Sequence, residues 1–152
     1  MRALLLVAAV WLSSLPAIAA ADVAAPARVA VRGDRIELGE PIYFDTGKAT
    51  IKPQSHALLD EVVRALADNA WIELVEVGVH SDERGADAYN LRITDERAAA
   101  IRADLVAHGV AATRVAARGY GETRPVCSEH NEACWSRNRR VELVVVRRAP
   151  HP

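Results

Sequence analysis

The chain has 152 residues, with 19 lysines and arginines against 20 aspartates and glutamates, for a net charge of −1. That balance lacks the basic excess that nucleic acid or anionic lipid demands of a partner. Two cysteines are too few for a miniprotein built on disulfides.

Residues 1–21 read as a signal peptide. Arg2 is a short positive start, Ala3 to Leu12 is apolar, and Ala17-Ile18-Ala19 and Ala19-Ala20-Ala21 both fit a small-x-small cleavage site. The apolar run falls short of the about 20 residues that a membrane span needs. No Cys lies near the cleavage site for lipid attachment, and no later stretch is apolar enough to span a bilayer. The mature chain is therefore expected to be exported, with no transmembrane segment. Only Arg2 is charged in residues 1–21, so the mature chain keeps 18 basic and 20 acidic residues, a net −2.

Residues 22–39 read as a linker that ends in a short hairpin, Arg28 to Arg32 and Arg35 to Leu38 around Gly33-Asp34. Pro41 to Asp45 is a compact strand candidate, and Thr46 to Lys52 a polar loop. Pro53 opens a helix, as proline tolerates the first helical turn. Leu59, Val62, Val63 and Leu66 form its apolar stripe, and Asp68-Asn69 closes it. Ile72 to Val77 is the clearest strand and ends at Gly78-Val79-His80. Ser81 to Asn90 is polar and contains Gly85, so it reads as a loop, with one helical turn at Ala86 to Tyr89 as an alternative for its end. Thr94 is the expected N-cap of a second helix, with Asp95, Glu96 and Arg97 in the first turn and Gly109 as the stop.

Arg114 to Arg118 is expected as a short strand and Gly119-Tyr120-Gly121 as a turn. Thr123 to Arg137 reads as a long polar loop, and Val141 to Val146 as the last strand. The order strand, helix, strand, helix, strand, strand predicts an α/β (α+β) two-layer sandwich, a mixed sheet with helices on one face. Residues 40–148 form that domain, and 149–152 a tail.

The densest polar cluster runs from His80-Ser81-Asp82-Glu83-Arg84-Gly85 through Tyr89-Asn90 to Thr94 and Arg97. It begins at the end of a central strand, where ligands favour the crevice of an open sheet. A zwitterionic amino acid suits it, its ammonium on Asp82 and its carboxylate on the planar fork of Arg97. An internal Asp82–Arg97 salt bridge fits the same spacing equally well. His80, Ser81 and Asp82 have the residue types of a hydrolase triad, but neighbours in a chain seldom converge as one. No enzyme activity, metal or cofactor is expected. Cys127 and Cys134, in an exported chain, are expected to form a disulfide rather than a metal site.

These residues carry a family resemblance. Phe44-Asp45, Ile51-x-Pro53, His80-Ser81-Asp82-x-x-Gly85, Asn90-x-x-Ile93-Thr94-x-x-Arg97-Ala98, Gly119-Tyr120-Gly121-Glu122 with Pro125, and Asn138-Arg139-Arg140-Val141-Glu142 together resemble the OmpA-like domain pattern. The match spans about residues 40 to 147, and several motifs in order are far more specific than one. Asp82-Glu83-Arg84-Gly85 with Tyr89-Asn90 is most similar to the peptidoglycan-associated lipoprotein branch, although no lipid-acceptor Cys is present. The resemblance implies non-covalent peptidoglycan binding through the diaminopimelate of the stem peptide, with Asp82 as the key acid and Arg97 as the key arginine. It also places Asn90, Asp45 and Arg139 near the ligand. It implies a periplasmic location, with any outer-membrane association made through partners. The family usually has Gly where Val79 stands, and often Thr where Ser81 stands. The added methyls of Val79 are an expected cost to ligand affinity, so an envelope interaction domain that keeps the fold without the ligand is the second reading.

Overall fold

The computed structural model describes residues 28–150; the stretch read as a signal peptide, most of that read as a linker and the last two residues lie outside them. Strands β1 (Val29–Arg32) and β2 (Arg35–Leu38) form the expected hairpin. Gly33 makes its turn at a φ of 60°, a conformation that costs glycine nothing. Helix α1 (His56–Asp68) follows a single 3₁₀ turn at Pro53–Ser55. Its buried stripe is Leu58, Leu59, Val62 and Leu66, and Asn69 ends it by donating backbone and side-chain N–H groups to the Ala65 carbonyl.

Strand β3 (Ile72–His80) is central. It pairs parallel to β4 (Val115–Gly121) and antiparallel to β5 (Arg140–Arg148), giving the sheet order β1-β2-β5-β3-β4. Alternation along β3 sends Val75, Val77 and Val79 into the core with Leu143, Val145 and Val115. Helix α1 and the long helix α2 (Asp87–Ala107) cover that face with Leu58, Leu59, Ala98, Ile101 and Leu105. A Cβ on Gly119 of β4 would stand 2.2 Å from the Asp95 nitrogen, so only glycine lets α2 lie this close to β4. On the opposite face, Tyr120 stacks on His80 with ring centres 4.9 Å apart.

The predicted class holds, a mixed sheet with helices on one face, but the details differ. Pro41–Asp45 is not a strand. Phe44 and Ile51 meet in one isolated bridge, because the chain doubles back at once through Gly47, at a φ of 67°. Gly119-Tyr120-Gly121 is not a turn but the end of β4. The expected loop of residues 123–137 gives way to a short helix, α3 (Glu132–Asn138), whose N-cap Asn131 accepts from the Cys134 nitrogen. Seven mostly polar residues give no apolar stripe by which to detect it.

Helix α2 begins at Asp87, and Thr94 lies inside it. The Thr94 hydroxyl is fully buried. It donates back to the carbonyls of Asn90 and Leu91 and accepts the Gly121 N–H at 2.9 Å. Threonine here ties α2 to β4 rather than capping a helix. Arg97 consequently sits at the middle of α2, and the free N–H groups of a helix start are not beside it.

Candidate functional site

The C-terminal end of β3, the loop that follows it and the start of α2 surround a cleft of about 140 Å³. Gly47, His80, Ser81, Asp82, Tyr89, Asn90, Ile93, Arg97 and Arg139 line it. Asp82, Asn90, Arg97 and Arg139, four of the five residues singled out for the ligand, thus come together. Asp45 does not line the cleft. Its backbone forms the turn below Gly47, accepting from Lys48 N–H and donating to the Thr50 carbonyl.

Asp82 is held hard. Its Oδ1 accepts the backbone N–H of Arg84 at 3.0 Å and the Arg84 Nε at 3.2 Å. Its Oδ2 accepts Arg84 Nη2 at 2.8 Å and Arg139 Nη1 at 2.6 Å. Burial alone would raise this carboxyl, but the bonds to Arg84 and Arg139 outweigh it and hold it down at about 2. Asp82 is ionised at any physiological pH.

Arg97 is held loosely. Its Nε donates to the Lys48 carbonyl at 3.0 Å, and its guanidinium lies 4.9 Å from the centre of the Phe44 ring. Among the described residues it has no carboxylate partner, and burial lowers its pKa. Asp82 and Arg97 do not pair with each other; the acid takes Arg84 and Arg139 instead. The internal salt bridge that the spacing allowed is therefore not formed.

Asn90 is a tether. Its Nδ2 donates to the carbonyls of Asp82 and Arg84 and, at 2.7 Å, to Glu122 Oε2. It joins the β3–α2 loop to the end of β4. Gly85, at a φ of 103°, completes the loop against Asn90.

Cys127 and Cys134 are joined by a disulfide at a Cα separation of 5.3 Å. The segment it closes supports the acid. Arg139 bridges Asp82 and Glu132 of α3. Arg84 reaches Glu132 at 3.3 Å and lies over the Trp135 ring at 4.4 Å. Glu83 accepts from Trp135 Nε1 at 2.8 Å and contacts His130. Sequence reasoning missed Arg84 and Glu132 as parts of the site. Arg84 had a local signal, since an arginine two places after an aspartate reaches it readily; Glu132 had none before α3 was known.

His80, Ser81 and Asp82 do not converge. Both His80 ring nitrogens and the Ser81 hydroxyl lack hydrogen-bond partners among the described residues. The His80 side chain is 1% exposed, and burial with Arg140 nearby pushes its imidazole down to about 4. Val79, the departure from the family pattern, is 2% exposed and belongs to the core cluster. At Gly78 a Cβ would meet the Tyr120 ring at 3.1 Å, so the glycine one place early makes room for the His80–Tyr120 stack. No helix among the described residues is long and apolar enough to cross a membrane.

A family model described as the OmpA family matches residues 43–139. A peptidoglycan-associated lipoprotein of Rhizobium meliloti is 37% identical over 110 residues, covering 72% of this chain and 62% of that protein. Outer membrane protein A of Bordetella avium is 35% identical over 104 residues, covering 68% and 53%. The chain thus spans between half and two thirds of the length of these curated relatives. Among solved structures, the peptidoglycan-associated lipoprotein of Burkholderia pseudomallei superposes with a TM-score of 0.61 at 33% identity, over 70% of this chain and 91% of that one. The cell wall anchor of the T6SS from Pseudomonas aeruginosa gives 0.65 at 30% identity, over 79% and 88%.

Proposed function

The chain belongs to the OmpA family, and from that premise we propose that it is a periplasmic cell-envelope module that binds peptidoglycan non-covalently through the diaminopimelate of the stem peptide. The side chain of that residue carries an ammonium and a carboxylate on one carbon. One observation carries the reading: Arg97 lines the same cleft as the ionised Asp82 yet has no carboxylate of its own among the described residues. A ligand carboxylate completes Arg97, whose fork donates to two oxygens, and the ligand ammonium meets Asp82. Each such charge-assisted bond contributes about 1.5–3 kcal/mol. The likeness to peptidoglycan-associated lipoproteins and to a cell wall anchor supports the assignment. Binding of this kind breaks no covalent bond, so the module acts by holding, without catalysis or a cofactor. Export follows from the signal-peptide reading of residues 1–21, and intact-mass analysis of exported protein is expected to show a start near Ala20 or Asp22.

The second reading, docking on another envelope protein without the ligand, is favoured by one fact: Arg84 and Arg139 already occupy Asp82. Sedimentation with purified peptidoglycan separates the two. Under the first reading the protein pellets with the sacculus, and free diaminopimelate releases it. Protein that stays in the supernatant overturns the peptidoglycan assignment.

A further inference from the structure

Asp82 is full. A carboxylate offers about four lone-pair sites, and Arg84 and Arg139 supply four N–H donors to it. A ligand ammonium reaches Asp82 only if a guanidinium gives way. We propose that Arg84 is the built-in competitor for the ammonium subsite, and that Glu132 is the acceptor that keeps the arginine when ligand displaces it. This rests on the peptidoglycan reading of the cleft.

Three observations single out Arg84. Its guanidinium bonds to Asp82, at 3.2 and 2.8 Å, are longer than the 2.6 Å bond from Arg139. Its backbone N–H bond to Asp82 does not depend on where the side chain lies, so the loop keeps its shape when the side chain leaves. The side chain also has a second seat already in contact, the face of Trp135 at 4.4 Å, which Arg139 does not share, beside Glu132 Oε2 at 3.3 Å, whose other oxygen Arg139 holds. Its side chain is 49% exposed and free to make that short move. Neither Arg84 nor Glu132 lines the cleft, so both act on the ligand through Asp82 as positioning residues. The competition sets a threshold: a ligand must bring an ammonium and a carboxylate together, because the carboxylate on Arg97 helps offset the displacement of Arg84. A simple amine lacks that second contact and is rejected.

The test uses the exported full chain, peptidoglycan sedimentation, and circular dichroism to confirm folding. Arg84→Ala is expected to tighten binding about fivefold, and Arg84→Lys, which keeps charge but loses the fork, to tighten it less. Glu132→Gln, which removes the second seat, is expected to weaken binding severalfold in the wild-type background and to have a smaller effect when combined with Arg84→Ala. A folded Arg84→Ala protein that binds with unchanged or lower affinity overturns the proposal, as does a Glu132→Gln effect that is the same in both backgrounds. Wild-type protein that does not sediment, or Asp82→Ala that sediments like wild type, overturns the underlying site as well. Wild-type binding lost in Asp82→Ala but not tightened in Arg84→Ala overturns the competitor alone.

Discussion

Asp82 lies at 6% exposure beneath two guanidinium groups, while Arg97, in the same cleft, rests on a backbone carbonyl and an aromatic ring. The asymmetry has a simple cause. A carboxylate taken out of water protonates unless counter-charges and hydrogen bonds replace its hydration. A guanidinium stays charged almost anywhere and sheds water at lower cost, so it tolerates a site with no acid. The acid side of the cleft is therefore wired into the fold through α3 and the disulfide. The Arg97 side has no carboxylate partner among the described residues. Changes at Asp82 should disturb both folding and binding, and changes at Arg97 binding alone.

The largest expected effect breaks the wiring behind the acid. Replacing Cys127 and Cys134 together with alanine should cost about 2.5 kcal/mol of stability, by the chain-entropy model for a loop of this length; the two cysteines are seven residues apart. Urea unfolding measures it, and an unchanged midpoint would show that α3 holds its place without the bridge.

Asp82→Ala comes next. Its folded pKa of about 2 lies below the ordinary aspartate value of 3.8. The group therefore stabilises the fold above pH 3.8, and loses that contribution as pH falls through 2. At neutral pH the difference amounts to about 2 kcal/mol. The variant should lose that much stability and at least about tenfold in peptidoglycan affinity. Loss of binding with full stability would mean that Arg84 and Arg139 find other partners without strain.

Arg97→Ala sharpens the contrast from the other side. It should also weaken binding at least about tenfold, at 1.4 kcal/mol per decade. Its unfolding free energy should stay within about 0.5 kcal/mol of wild type. Arg97→Lys should weaken binding less, since the charge remains and only the fork is lost. A stability loss as large as that of Asp82→Ala would erase the distinction between the two sides.

The smallest effect is that of mild acid. Lowering the pH from 7 to 5 should change affinity by less than about twofold, since Asp82 titrates near 2 and arginine does not titrate in this range. A marked fall by pH 5 would reveal control by another group.

Much of the fold was legible because it is written in local periodicity. The α1 stripe through Leu59, Val62 and Leu66, the β3 alternation and the hairpin around Gly33 each follow from a few neighbouring residues. Thr94 misled because it carries the chemistry of a cap, and only its burial against Gly121 of β4 shows that the hydroxyl is used inside the helix. Helix α3 was hidden because Cys134 and Asn138 are its only buried residues, too few to make a pattern.

Asp82 and Arg97 were legible as opposite charges at a strand end and on a helix, whereas Asn90 and Arg139 were named only through the family resemblance. Which partner each one takes was decided by the tertiary structure. Asp82 meets Arg139 across 57 residues, and Arg97 meets the Lys48 carbonyl across 49. Those meetings exist because β5 inserts between β2 and β3, and because the loop of residues 44–48 folds over α2. A local pattern sets what a segment buries, but the pairing of charges from distant segments depends on which strands lie side by side.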